Sequence, residues 1–228
     1  MAERKKVGEA VRKITPGRRL SKATVAGYHA GRVPANRGRT FPAEPLTGDE
    51  VRALLRAIST RGATGLRNRA LVVAMWRAGL RVSEALALYP KDVDAQAGTL
   101  AVLHGKGDKR RTVAMDPEAF AVLERWLDRR SALGVNGRAP VFCTLKGGPL
   151  KSSYVRTWLG RVAKKAGLEK RLHAHGFRHT FAVELMREGV PLNVISAALG
   201  HSNLATTSRY LSHIAPKEVI ETLRGRTW

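Results

Sequence analysis

The sequence predicts a mainly α domain with one small antiparallel β-sheet, preceded by a basic arm. Three observations point there. Apolar residues recur at helical spacing in one segment after another, each with a start or stop signal. Two or three short runs rich in β-branched residues flank a polar, glycine-containing tip. The first 40 residues carry 11 Lys and Arg against 2 Glu, a net +9, with Gly and Pro scattered through and no sustained helical period.

Residues 1–43 therefore read as a basic, flexible arm, with at most a weak helical piece from Leu20 to Ala30, and 44–228 as the folded domain. The domain opens at Pro42–Pro45. Thr47-Gly48-Asp49-Glu50 is a capping box, with Leu46 and Val51 at the staple positions. The helix it starts carries Val51, Leu54, Leu55 and Ile58 on one face. A second helix spans about Leu66–Gly79, and a short third about Val82–Leu88. Strands fit Thr99–His104, Arg111–Met115 and a third candidate, Val141–Thr144, with Gly105–Arg110 as a hairpin tip. Asp116-Pro117 is an N-cap followed by proline at the first helical position, opening a helix to about Leu133. Further helices fit Ser152–Ala166, Gly176–Glu188, Pro191–Leu199, Ala205–Leu211 and Pro216–Arg224.

Across 228 residues, 41 Lys and Arg face 18 Asp and Glu, a net charge of +23, and both the arm and the domain are basic. Such an excess calls for a polyanion. Nucleic acid leads, because every neutralised phosphate releases counterions. An anionic membrane surface or a solubilising charge would be the alternatives. The longest apolar run, Ala70 to Trp76, is far short of the roughly 20 residues a membrane span needs, so no transmembrane helix is expected. No apolar signal segment follows the basic N-terminus. Cys143 is the only cysteine, which excludes disulfides and cysteine metal clusters and fits a reducing cytosol.

Several local patterns are ambiguous when taken singly. Gly105-Lys106-Gly107 is no nucleotide-binding loop, since Ser or Thr does not follow the lysine. It is either a plain basic hairpin tip or a lysine presented to a phosphate. His175 and His179 have helical metal-ligand spacing but lack a third ligand, and Arg178 between them would repel a cation. His175 with Arg178 makes a better anion-binding pair, though a capping histidine and a surface arginine would look the same. Glu84 could hold Arg81 or simply be a first-turn acid. Tyr210, in a polar stretch, reads in isolation as a half-buried amphipathic side chain.

Taken together and in order, these patterns change the picture. Gly79-Leu80-Arg81-Val82-Ser83-Glu84, Gly105-Lys106-Gly107-Asp108-Lys109, His175-Gly176-Phe177-Arg178-His179-Thr180-Phe181-Ala182, Leu199-Gly200-His201 and Thr206-Thr207-Ser208-Arg209-Tyr210 follow one another. The sequence resembles the tyrosine recombinases, the phage integrases and Xer-type resolvases, over about residues 44–222. Phe177 replaces the family's usual leucine. The resemblance implies that family's catalytic-domain fold and the breaking and rejoining of DNA strands without metal or nucleotide cofactor.

By resemblance, Tyr210 is the nucleophile that forms a 3′-phosphotyrosyl link, and Arg81 and Arg178 clamp the non-bridging oxygens. Lys106 protonates the departing 5′-oxygen. His175 serves the attacking phenol, His201 donates to the phosphate, and Glu84 orients its neighbours. Lys109, Arg110, Arg111, Lys151, Arg156 and Arg209 are expected DNA contacts. The implied partners are double-stranded DNA and other copies of the chain, as a tetramer on DNA, with a partner recombinase or accessory protein also in play. The implied location is a prokaryotic or phage-infected cytoplasm, at the nucleoid. Most family members carry a helical core-binding domain ahead of the catalytic one. Residues 1–43 match little of it, so the expectation is a natural minimal form, a truncated product or one half of a two-protein system. A relaxing type IB topoisomerase and a non-catalytic DNA binder are the competing classes.

Overall fold

The computed structural model describes residues 45–103, 110–201, 203–211 and 224, with the side chains of 206 and 209–211 left aside. The arm, its weak helix at 20–30, the tip holding Lys106 and Lys109, and the predicted helix at 216–224 except Arg224 lie outside the described residues.

Among the described residues the fold is mostly helical with one three-stranded sheet. The helices are α1 (Gly48–Ala57), α2 (Ala63–Arg77), α3 (Val82–Leu86), α4 (Pro117–Ala132), α5 (Ser152–Lys165), α6 (Ala174–Arg187), α7 (Leu192–Leu199) and α8 (Leu204–Leu211). The strands β1 (Val93–Asp94), β2 (Thr99–Val102) and β3 (Arg111–Ala114) form an antiparallel meander in that order. No described helix is long and apolar enough to cross a membrane.

The predicted caps form as expected. Glu50 N donates to Thr47 Oγ1 at 3.2 Å and Thr47 N to Glu50 Oε2 at 2.7 Å, closing the capping box of α1. Asp116 Oδ1 accepts from Ala119 N at 3.0 Å ahead of Pro117. Helix α2 has no polar face over Ala70–Met75, every residue of which is buried. It packs against α4 and α6, as a helix apolar all round must. Its last turn is tied by Arg77, which reaches Asp116 at 2.7 Å and Glu184 of α6 at 3.2 Å, while Trp76 Nε1 donates to Glu184 at 2.9 Å.

Val141–Thr144 is not a strand of the sheet, whose third strand is instead Val93–Asp94. Val141, Phe142 and Cys143 are fully buried, which is why they read as a strand. Their backbone groups find other partners. Val141 N donates to Leu88 O at 2.7 Å, Trp126 Nε1 to Val141 O at 2.8 Å, and Arg67 Nη1 to Cys143 O at 3.1 Å. Only an isolated bridge, Cys143 with Pro149, remains of strand pairing.

Two sequence boxes lock together through a glycine. Gly79 follows α2 at φ +59°, and a Cβ there would lie 2.5 Å from the Phe181 ring of α6. The glycine lets α6 approach the turn that delivers Arg81. Gly79→Ala should therefore cost about 2 to 4 kcal/mol, from left-handed strain plus overpacking. Urea denaturation measures it, and a loss below about 1 kcal/mol would show that the contact yields easily.

Candidate active site

The site begins with a carboxylate. Glu84 sits in the five-residue helix α3, its side chain 1% exposed. Its Oε2 accepts from the backbone N of Arg81 at 2.8 Å, and its Oε1 from Arg81 Nη1 at 2.6 Å. Glu84 thus caps its own helix and holds Arg81 at the same time. From β3, Arg111 adds a forked contact, Nη2 to Oε2 at 2.8 Å and Nη1 to Oε1 at 3.1 Å. From α6, Arg178 Nη1 lies 3.8 Å from Oε2. Three guanidinium groups from three elements converge on one anion.

Burial alone would raise the Glu84 pKa. The hydrogen bonds from Arg111 and from the Arg81 amide and guanidinium, with the Arg111 charge, hold it down to about 2.

Arg178 is fully buried. Its Nη1 donates to Gly79 O at 2.7 Å, its Nη2 donates to Leu199 O, and Nη2 also meets His201 Nε2 at 3.2 Å. His201 follows Gly200, which closes α7 in the left-handed region at φ +63°. Its Nδ1 lies 2.8 Å from Thr207 Oγ1 of α8. A guanidinium only donates, so Nε2 of His201 is the acceptor and its ring proton sits on Nδ1, given to Thr207. Burial, then the charges of Arg178 and Arg81, push the His201 pKa down to about 4. His175 is in the first turn of α6 with part of its surface in solvent. The protein packed around its ring, then Arg178 and Arg81, hold its pKa below the ordinary histidine value.

The structure thus gathers Arg81, Glu84, His175, Arg178 and His201 around one spot. Tyr210 lies in the last turn of α8, three residues after Thr207. Lys106 and Lys109 fall in the segment outside the described residues, as do the side chains of Arg209 and Tyr210. Arg110, Lys151 and Arg156 are exposed, the last two at the start of α5. Arg111 differs from them. Its side chain is 9% exposed and points to Glu84, because strand alternation puts it on the inward face of β3 with buried Val113, opposite buried Val102. Thr207 stands in the sequence box that ends at Tyr210, but a threonine in a polar run shows no role of its own until its partner, His201, is known. Tyr154 is engaged elsewhere, its hydroxyl 3.0 Å from Arg67 Nη2. Among the described residues no group of three or more His, Cys, Asp or Glu is placed to hold a metal.

The phage integrase family profile matches residues 44–216. The chain belongs to the phage integrase family. It is 34% identical over 202 residues to tyrosine recombinase XerD of Xanthomonas campestris pv. campestris, covering 85% of this chain and 61% of that protein. Tyrosine recombinase XerC of Halalkalibacterium halodurans is 34% identical over 185 residues, covering 78% and 60%. The chain thus spans about 60% of the length of these relatives. The crystal structure of XerA recombinase superposes with a TM-score of 0.72 at 32% identity, covering 88% of this chain and 72% of that one. XerH bound to its palindromic difH substrate, in a post-cleavage complex, superposes with a TM-score of 0.66 at 31% identity, covering 80% and 53%. The mainly helical architecture with its small sheet is that of the tyrosine recombinase catalytic domain.

Glu84 makes a prediction about stability and pH. Its folded pKa lies below the unfolded value, so its contribution is full above about pH 4.5 and is lost as pH falls toward about 2. At neutral pH the shift corresponds to at most roughly 3 kcal/mol. Glu84→Gln should be less stable than the parent at pH 7, and the gap should narrow steadily below pH 4.5. Urea unfolding of both proteins across that range checks it. A gap independent of pH would refute the ionised, arginine-held carboxylate.

Proposed function

We propose that the chain is a site-specific DNA recombinase that cleaves and rejoins strands through a covalent 3′-phosphotyrosyl link on Tyr210. The observation that carries this reading is the pair Arg81 and Arg178, held by one carboxylate with His175 and His201 beside them. A phosphodiester under attack gains negative charge on its non-bridging oxygens, and preorganised donors stabilise it there. Two guanidiniums keep full charge at any working pH and offer planar forks to those oxygens. They supply the positive charge that a metal ion supplies in other phosphoryl-transfer sites.

In the proposed reaction the Tyr210 oxygen attacks phosphorus, the bond to the 5′-oxygen breaks, and Lys106 gives that oxygen a proton. His175, with its lowered pKa, is neutral at pH 7 and takes the phenol proton. A 5′-hydroxyl from another strand then reverses these steps and rejoins without ATP. His201 must change role, because its Nε2 is an acceptor from Arg178. An arriving phosphate raises the pKa of the ring and turns Nε2 into a donor. Arg178 has no solvent-exposed surface, so the phosphate meets it only when the side chains covering it move.

The substrate is double-stranded DNA and the working form a tetramer of recombinase protomers on it. That XerH was captured with cleaved difH supports DNA as the substrate class. Residues 1–43 add phosphate contacts as a basic arm, and 44–228 form the catalytic domain. If about five arm charges meet phosphates, deleting residues 1–40 should lower the salt slope of log K by roughly 4 to 5 on specific and random duplexes alike. Equal slopes for the two proteins would remove the arm from DNA.

A nicked suicide substrate tests the chemistry. The parent should form a denaturation-resistant adduct and exchange strands, in excess chelator as well as without it. Tyr210→Phe should bind as well and form no adduct, since one oxygen is lost and the basic surface is untouched. Lys106→Ala should be slow on normal DNA but close to the parent when the 5′-bridging oxygen is sulfur, a leaving group that needs no acid. An adduct on the Tyr210→Phe protein would overturn the nucleophile assignment. Capture with relaxation but no exchange would make the protein a topoisomerase.

A further inference from the structure

Arg111 is the member of the Glu84 cluster to which the proposed reaction gives no task. Its place in the fold is specific. The two Nη atoms fork onto the two oxygens of Glu84, and its Nε donates to Ala198 O at 2.9 Å. Ala198 lies in the last turn of α7, where carbonyls lack helical partners and a cation is favoured. The Arg111 Cδ packs so close to Gly200 that a Cβ on that glycine would come within 3.0 Å of it. Gly200 leads directly to His201. At its other end, Arg111 is the first residue of β3, the strand that follows the segment containing Lys106.

We infer that Arg111 is a positioning residue for the strand-cleavage site, not a DNA contact: it fixes Glu84, and with it Arg81, against the α7 terminus that presents His201. The inference rests on the recombinase reading. One side chain of β3 joins α3 and α7, the elements that set Arg81 and His201. A planar fork suits this task, because it fixes orientation as well as distance. Lysine offers a point charge instead and cannot hold both oxygens and the carbonyl together. The engagement of all three of its nitrogens, two by the Glu84 carboxylate and one by Ala198 O, argues against a phosphate role, whereas Arg110 next to it is exposed.

The experiment compares the parent, Arg111→Met and Arg111→Lys in the full chain. It measures DNA affinity against salt, single-turnover adduct formation at saturating DNA, and urea unfolding across pH. Both variants should keep the parent's salt slope, whereas loss of a phosphate contact would lower it by about 0.9. Cleavage by Arg111→Met should fall on the order of 100-fold, the cost of a small misplacement of reacting groups, with Arg111→Lys in between. In Arg111→Met, Glu84 keeps Arg81 of its own turn and Arg178 of α6 as its cations, and the neutral rings of His175 and His201 lie beside those two arginines. The folded pKa of Glu84 then rises toward the ordinary carboxylate value, so the stability that Glu84 contributes at neutral pH and loses below about pH 4.5 should be smaller than in the parent. Arg111→Lys, which keeps the charge, should retain more of it.

A lowered salt slope with unchanged cleavage of bound DNA would overturn the inference in favour of a DNA contact. Slower cleavage by Arg111→Met with the parent's acid-side loss of stability intact would show that Arg111 does not hold Glu84 and would overturn the inference in favour of mere structural support. If Arg111→Met does not fold, Arg111→Lys decides by the same two measurements. If the parent itself forms no adduct, the recombinase reading falls and this inference falls with it. If the parent cleaves and both variants match it, only the role of Arg111 is lost.

Discussion

In a chain with 23 excess positive charges, the site is organised around a buried negative one. Arg81, Arg111 and Arg178 approach Glu84 from three elements within hydrogen-bond or ion-pair distance. Without it, these guanidiniums would repel one another in a space where water screens little. A carboxylate buried to 1% exposure is costly to desolvate unless its lone pairs are filled, and four donor contacts within 3.1 Å fill them. The arrangement is asymmetric. Glu84 neutralises one unit of a three-unit charge, which leaves a net positive field for a phosphate. The carboxylate thus makes the cluster foldable while keeping it attractive to an anion.

The same asymmetry accounts for the histidines. Burial first, and then the neighbouring guanidinium charges, disfavour the protonated form of both rings, and both pKa values lie below the ordinary one. A neutral His201 accepts from Arg178 and donates to Thr207, so its ring is fixed at both nitrogens. Other residues of the same motifs serve the placement of these charged groups. Gly79 gives Phe181 room, and its carbonyl accepts from Arg178. Thr180, two residues after Arg178, accepts from Leu46 N at 2.8 Å and so ties α6 to the entrance of α1.

Much of this was legible in the sequence, for reasons that differ by residue. The starts of α1 and α4 were readable because capping chemistry is local, depending on side chains within four positions. Boundaries elsewhere held to within a few residues because periodicity sets them. The exchange of Val141–Thr144 for Val93–Asp94 shows where local reading stops. The longer apolar run looked like a strand, but Leu88, Trp126 and Arg67, all distant in sequence, claim its backbone groups. A two-residue strand has too little pattern to announce itself. The gathering of Arg81, Glu84, His175, Arg178 and His201 could be expected only from the ordered boxes, since no single box outweighed its ordinary explanation.

Arg111 is the instructive case, because the signal was present in two forms that pointed different ways. Beside Lys109 and Arg110 it looked like one more charge in a basic patch. In the alternation of its strand it shares a face with Val113, which is buried. Charge composition describes how a segment meets solvent and ions on average, whereas alternation decides where one side chain points. For a long, flexible cation on a sheet rim the first rule is usually sufficient. Here it is not, because the inward face of β3 meets a carboxylate that α3 cannot leave unpaired. The buried acid selects its cations by geometry, and the surplus of arginines over acids leaves Arg110, Lys151 and Arg156 on the surface. Strand alternation and the buried acid, not sequence proximity, thus separate Arg111 from the exposed Arg110 beside it.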